Sequence, residues 1–149
     1  MRQLCGTLRA PGFSIAPVDP KEQAVRELYD ARARRDWNAV RALLADEIVW
    51  HEPGEEDYSG DYHGPNEVVA LLEKLVAITE GTFQLVPEAF VNSEEHSAAL
   101  IRWWAERGER RSEGNEIAVY RFRDGKVAEV WFHVDGHDPE AVSAVFTFD

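Results

Sequence analysis

The sequence EIAVYRFRDGKVAEVW, at residues 116–131, decides the fold class of this chain. Alternating apolar and polar residues flank Asp124 and Gly125, and such a turn between two alternating runs is a strong β-hairpin signal. Similar runs come earlier, so we predict four long strands, at residues 82–92, 96–107, 110–123 and 126–135. Pro87 lies inside the first run and indicates an edge strand or a bulge, because proline cannot donate to a central ladder.

The first half of the chain has helical periodicity instead. Asp19 stands before a proline and predicts a helix start, and apolar residues then recur every three or four positions to about residue 34. Arginines, Arg32 among them, occupy the opposite side of this helix. A short second helix follows Asp36, and a third spans about residues 64–81. A β-branched and aromatic strand, residues 47–52, lies between these two helices.

This order of elements predicts an α+β fold. Helices that are segregated from a run of hairpins pack on one face of a sheet, here three N-terminal helices on a strongly bent antiparallel sheet. The acidic, turn-rich residues 55–64 are expected to form a loop. Residues 1–19 show no period and are expected to form an N-terminal arm before the domain of residues 20–149.

Composition and charge exclude several classes of function. The chain has 149 residues, 44% of them apolar, which suits one globular domain. With 28 acidic and 16 basic residues its net charge is −12, so we expect neither nucleic acid nor an anionic membrane as a partner. The lone Cys5 supplies no disulfide and no cysteine-based metal site. Because there is also no long apolar run and no good signal peptide, we expect a cytoplasmic protein.

Two short motifs and the late hairpin give the chain a family resemblance. The motifs are WHEPG at residues 50–54 and GDYHG at residues 60–64, and the hairpin is RFRDGKVAEVW at residues 121–131. Over about residues 20–138 the chain resembles the nuclear transport factor 2-like superfamily, and within it the SnoaL-like group. The resemblance implies a cone-shaped sheet with a pocket inside its wide end. It also implies a range of activities, from polyketide cyclases, ketosteroid isomerases, epoxide hydrolases and dehydratases to non-catalytic binding proteins, so fold alone does not choose among them.

Three side chains are candidates for catalysis. His51 ends the early strand in a motif that carries the resemblance, and imidazole suits proton transfer near neutral pH. Strand alternation places Glu116 and Tyr120 on the concave face of the sheet, where apolar walls would raise the pKa of a carboxyl group. Structural alternatives stay open for all three: a hydrogen-bonded histidine at the mouth, a carboxylate on the rim, and a core aromatic ring.

A further set of residues is expected to contact the substrate. Alternation turns Trp103 and Phe122 inward, and Tyr62 lies in the loop that could cover the mouth. Which face of the last strand points inward stays open, because bulges in bent sheets can exchange the two sets. In SnoaL-like proteins a carboxylate often follows the tryptophan of this strand, where this chain has Phe132. The predicted substrate-binding residues are Trp103, Tyr62, Phe122, Phe132, His133 and Asp135.

Neither a metal ion nor a bound cofactor is expected. The histidines lack a repeated ligand spacing, and the sequence has no glycine-rich phosphate loop and no Gly-x-Ser-x-Gly elbow. The acidic side chains from Glu52 to Asp61 are expected to be solvated and to disfavour anionic ligands at the mouth.

These residues favour cofactor-independent proton transfer next to a carbonyl group, of the isomerase or cyclase type, on a small hydrophobic cyclic molecule. A non-catalytic binding or accessory protein with the same pocket is the alternative. Epoxide hydrolysis or dehydration ranks lower, because Arg102 is expected to face away from the pocket. Apolar residues on the outer sheet face, among them Leu100, Ile117 and Trp131, predict a homodimer.

Overall fold

The computed structural model describes residues 17–135 and 138–147 of the chain. Its helices are α1 (Pro20–Arg34), α2 (Trp37–Leu43), α3 (Gly64–Ile78) and α4 (Pro139–Val145). Its strands are β1 (Leu44–Glu52), β2 (Gly60–His63), β3 (Gln84–Asn92), β4 (His96–Arg107), β5 (Arg110–Arg123) and β6 (Lys126–Asp135). Residues 1–16 of the predicted N-terminal arm lie outside the described residues. Among the helices of the described part, none has the length and apolar character needed to cross a membrane.

The strands form one curled, unclosed sheet in the order β2–β1–β6–β5–β4–β3. The predicted α+β class is confirmed, with the four long strands of the second half joined as hairpins. The ladder between β1 and β6 is parallel, so the sheet is mixed rather than wholly antiparallel. Short turns force neighbouring strands to run antiparallel, whereas the long connection between β1 and β6 permits either direction.

The acidic segment after β1 is only partly a loop. Residues 60–63 form β2, which pairs antiparallel with β1 and places Asp61 opposite His51. The sequence pattern did not reveal this strand, because GDYH is too short and too polar to show an alternation. Pro87 does lie in an edge strand, and the register with β4 shifts between Pro87 and Ala89.

The core lies between the concave face of the sheet and the apolar stripes of α1 and α3. Val25 and Leu28 of α1 and Val68 and Val69 of α3 are completely buried. The start of α1 is capped as predicted, since the Asp19 carboxylate accepts a hydrogen bond from the backbone N–H of Lys21 at 2.8 Å. These helices therefore cover the concave face of the sheet.

The orientation of β1 determines which of its side chains enter the interior. Ile48 and Trp50 are 0% and 1% exposed, so their face of the strand is the buried one. Because side chains alternate along a strand, Glu52 follows them inward while Val49 and His51 take the other face.

Replacing Ile48 by alanine tests this orientation. We expect Ile48→Ala to lower the free energy of unfolding by about 2–5 kcal/mol, because it removes a fully buried side chain and leaves a cavity. Val49→Ala is the matched control on the half-buried face and should cost only ~1 kcal/mol. Urea denaturation followed by tryptophan fluorescence measures both values, and equal losses would contradict the placement of β1.

Candidate active site

A cavity of about 220 Å³ lies between the sheet and α4. Its walls come from the end of β1 and the loop after it, from α3, from β4, β5 and β6, and from α4. Aromatic rings make up much of this wall: Tyr58, Phe83, Trp103, Phe132 and Phe146. An apolar cavity of roughly 150 Å³ can hold a benzene ring, so this one has room for a small ring compound.

The C-terminal helix closes one side of the cavity. The ring centroid of Phe146, just after α4, lies 5.1 Å from that of Phe83 and 6.0 Å from that of Trp103. The hydroxyl of Ser143 donates a hydrogen bond to Glu56 at 3.0 Å and ties α4 to the loop after β1. Asp138 before Pro139 is a helix-start signal in the sequence, but the seven residues of α4 are too few for a periodic pattern to stand out.

Glu116 borders the cavity from β5, as strand alternation predicts. Its carboxyl group makes no hydrogen bond within the described part of the chain. Burial, together with the negative charge of Glu52, raises the pKa of Glu116 to about 7, and the positive charge of Arg32 opposes this shift. Both the acid and the base form of Glu116 are therefore populated near neutral pH.

Glu52 borders the same cavity from the end of β1. Burial raises its pKa, while a hydrogen bond from the indole N–H of Trp50, at 2.9 Å, and the charge of Arg32 lower it. Since Glu52 has a hydrogen-bond donor that Glu116 lacks, the ionised form of Glu52 is the favoured one of the two. One carboxylate and one carboxylic acid on the same cavity are suited to paired base and acid roles.

A polar cluster from α1 and β5 lies next to these carboxyl groups. The hydroxyls of Tyr29 and Tyr120 are both buried and lie 2.6 Å apart. Burial raises the pKa of both phenols, so both stay protonated. The guanidinium carbon of Arg32 lies 5.8 Å from the ring centroid of Trp50. Arg32 is thus turned towards the interior, although the helical pattern predicted it on the outer side of α1.

His51 lies on the outer face of the sheet and does not border this cavity. Its Nδ1 is 2.7 Å from Asp61 and its Nε2 is 2.7 Å from Glu129, and its ring stacks on Trp131 with 5.9 Å between centroids. Burial lowers the pKa of His51, but the hydrogen bonds that the imidazole donates to the carboxylates of Glu129 and Asp61 outweigh burial, so the pKa is raised. Ile48 and His51 lie on opposite faces of β1, and the face of Ile48 is the buried one. His51 therefore interacts with side chains of β2 and β6 on the outer face of the sheet.

The cavity brings together only part of the predicted site. The residues on its wall are Glu116, Trp103, Phe132 and His133. The residues that lie elsewhere are His51, Tyr120, Phe122, Tyr62 and Asp135. Of these, Tyr62 donates to the backbone carbonyl of Tyr58, and Asp135 borders a separate depression beside Glu88. Within residues 17–135 and 138–147, no group of three or more His, Cys, Asp or Glu side chains is placed to hold a metal ion.

Two residues of the site were missed at the level of sequence, Glu52 and Arg32. For Glu52 a signal was present: Ile48 and Trp50 are the larger apolar residues of the early strand, so their face had to be buried and Glu52 with it. The neighbouring acidic residues instead favoured a solvated position. For Arg32 no local signal existed, because α1 carries other arginines and the sequence pattern does not show which of them turns inward.

Comparison with known proteins gives consistent results. Residues 25–130 match the family model described as a SnoaL-like domain. Among solved structures, Bal32a from a soil-derived mobile gene cassette is 26% identical, with a TM-score of 0.78 over 85% of this chain and 96% of that chain. A nuclear transport factor 2-like protein of unknown function from Burkholderia pseudomallei is also 26% identical, with a TM-score of 0.72 over 88% of this chain and 100% of that chain.

A third similar structure is that of TerC co-crystallised with polyporic acid, which is 16% identical, with a TM-score of 0.74 over 86% of this chain and 98% of that chain. At that identity the likeness shows the fold alone. A search of curated proteins finds no match to the chain.

The histidine on the outer face should make stability depend on pH. We expect the wild-type chain to be more stable than His51→Gln below the usual histidine pKa of 6.5, and to lose this advantage as the pH rises through the raised pKa of His51. The reason is that protonated imidazole donates to both Asp61 and Glu129, whereas the neutral ring donates to one of them.

Thermal unfolding followed by circular dichroism, from about pH 5 to about pH 9, measures this difference. When both chains also carry Asp61→Asn, the stability that His51 contributes relative to His51→Gln should be smaller but not zero, because the imidazole still donates to Glu129. An advantage that grows with rising pH would contradict the proposed protonation of His51.

Proposed function

The chain belongs to the SnoaL-like domain family, and we propose that it binds a small hydrophobic ring compound with a carbonyl group and transfers a proton next to that carbonyl. The family has the nuclear transport factor 2-like fold, whose members include cyclases and isomerases. The observation that carries the proposal is that Glu52 and Glu116 border one cavity lined by aromatic rings.

The proposed reaction divides the work between the two carboxyl groups. The carboxylate of Glu52 takes a proton from the carbon next to the carbonyl, and the electrons of that C–H bond form an enolate. The protonated carboxyl of Glu116 donates a hydrogen bond to the enolate oxygen and stabilises its charge. In a conjugated enolate, return of the proton from Glu52 to another carbon completes an isomerisation. In a cyclisation the enolate carbon forms a bond to the carbon of a second carbonyl, whose C=O π electrons move to oxygen, and the resulting alkoxide takes the proton back from Glu52.

Two features of the cavity support a neutral ring compound as the ligand. Aromatic walls favour flat apolar molecules, and the three carboxyl groups on the wall, including Glu56, disfavour anions. The indole N–H of Trp103 is buried and has no hydrogen-bond partner in the described part of the chain. An unpaired buried donor costs about 1–3 kcal/mol, so a bound polar group that accepts from it would contribute to affinity.

Exchange of substrate protons for deuterium tests the proposal. A panel of cyclic ketones in heavy water, followed by proton NMR, should show exchange next to the carbonyl with the wild-type chain. Glu52→Gln and Glu116→Gln should each slow this exchange by at least ~100-fold, because each removes one partner in the proton transfer. Glu113→Gln, on the exposed part of β5, is the matched control and should leave the rate unchanged.

The panel also separates catalysis from binding alone. A ketone that saturates the cavity but exchanges no faster than in buffer would support a binding protein instead. Unchanged exchange rates in both glutamine variants would exclude these carboxyl groups from the reaction.

We further propose that two copies associate through the outer face of the sheet. Leu100, Ile117 and Trp131 are 47%, 39% and 37% exposed on that face, and Leu100 pairs directly with Ile117 across β4 and β5. Exposed apolar side chains on neighbouring strands form a continuous patch of the kind that a partner covers. A second copy presents the same patch and satisfies twofold symmetry.

Sedimentation velocity tests this association. The wild-type chain is expected to sediment as a dimer, and Ile117→Lys to shift it towards the monomer, because an isolated charge in the centre of the interface is desolvated without a partner. Glu109→Lys, in the exposed turn between β4 and β5, is the control for an added lysine. A wild-type chain that sediments as a monomer at all concentrations would disprove the dimer.

A further inference from the structure

Arg32 is the unusual member of the arginines on α1. Arg26 makes two hydrogen bonds to Glu22, and Arg34 pairs with Asp30, so both have carboxylate partners on the surface of the helix. Arg32 instead has its Nη1 buried with no hydrogen-bond partner in the described part of the chain. The guanidinium is thus partly desolvated, and it has no direct ion pair with any described residue, which is unfavourable unless its charge acts on nearby groups.

The surroundings of Arg32 identify those groups. Its guanidinium carbon lies 5.6 Å from the ring centroid of Tyr29 and 5.8 Å from that of Trp50. The indole N–H of Trp50 in turn donates to Glu52 at 2.9 Å. The guanidinium of Arg32 therefore lies near the ring of Trp50, whose N–H donates to the carboxylate of Glu52. The positive charge of Arg32 favours the ionised forms of both Glu52 and Glu116.

We propose that Arg32 is a positioning residue, which holds the carboxylate of Glu52 in its charged form so that Glu52 acts as the base and Glu116 as the acid. This inference rests on the proposed function and adds a third residue to it. Two carboxyl groups on one cavity tend to share a single proton, because both cannot be charged at low cost. The charge of Arg32 stabilises the single negative charge that the pair carries, and the hydrogen bond from Trp50 places that charge on Glu52 and leaves the proton on Glu116.

A purely structural role for Arg32 makes a different prediction. Contacts with the rings of Tyr29 and Trp50 could stabilise the fold through cation–π attraction and packing of the arginine stem. Loss of such contacts would lower stability but leave the protonation of the two carboxyl groups unchanged. A titration therefore distinguishes the two roles, whereas a stability measurement alone does not.

The test compares Arg32→Gln, Arg32→Lys and, as the matched control, Arg34→Gln on the exposed side of the same helix. Carbon-13 NMR of the glutamate side-chain carboxyls, with Glu52→Gln and Glu116→Gln spectra for assignment, follows the protonation of the pair without any substrate. In Arg32→Gln we expect the pair to titrate at a pH higher by roughly one unit, because a nearby opposite charge has been removed. Arg32→Lys should restore most of the wild-type titration, and Arg34→Gln should not alter it.

Where a ketone substrate has been found, the pH profile of exchange gives a second readout. The rate rises with pH as the base ionises, so Arg32→Gln should shift this acid limb to higher pH by the same roughly one unit and lower the rate about tenfold below it. Arg34→Gln should keep the wild-type profile.

The outcomes separate this inference from the function on which it rests. A folded Arg32→Gln variant that titrates like the wild-type chain would overturn the role of Arg32, whatever the activity. A shifted titration with no exchange on any ketone would support Arg32 and count against the proposed reaction. If Arg32→Gln does not fold, Arg32→Met keeps the unbranched stem without the charge, and its titration decides the question in the same way.

Discussion

The hydrogen bond between the indole of Trp50 and the carboxylate of Glu52 joins the core of this protein to its cavity. The ring of Trp50 is almost completely buried, and leaving a buried N–H unpaired costs about 1–3 kcal/mol, so the Glu52 acceptor stabilises this position. The same alternation that buries Trp50 brings Glu52 to the same face, two residues on and at the end of the strand. The burial of Trp50 in the core therefore also places the carboxylate of Glu52 at the cavity.

The chemistry of the site follows from a difference between two otherwise similar carboxyl groups. Glu52 and Glu116 come from β1 and β5, which are separated in the sheet by β6, and both border one cavity. Among the described residues Glu52 has a hydrogen-bond donor and Glu116 has none, so burial raises the pKa of Glu116 to about 7 and leaves Glu52 as the more easily ionised group. Both carboxyl groups are partly buried beside aromatic walls, which makes the difference larger than it would be in solvent.

Two strands show how far alternation along the sequence can predict a site. In β4 and β5 the alternate positions that hold Arg102, Glu106, Arg121 and Arg123 had to face solvent, so the inward positions of Trp103 and Glu116 were predictable. In β1 both faces carry an apolar residue, so alternation separated His51 from Trp50 and Glu52 without choosing the inner face. The fully buried Trp50 shows that the largest aromatic side chain is the better guide to the inner face.

Local pattern was sufficient for the first three helices, the four long strands, the hairpin turns and the α+β class, because these depend on residues within a few positions of one another. It was also sufficient to divide the side chains of each strand into two sets. The packed structure decided which set of β1 faces the core, the parallel pairing of β1 with β6, the inward turn of Arg32 and the closure of the cavity by Phe146. Each of these depends on contacts between segments far apart in the chain, and no short-range periodicity carries that information.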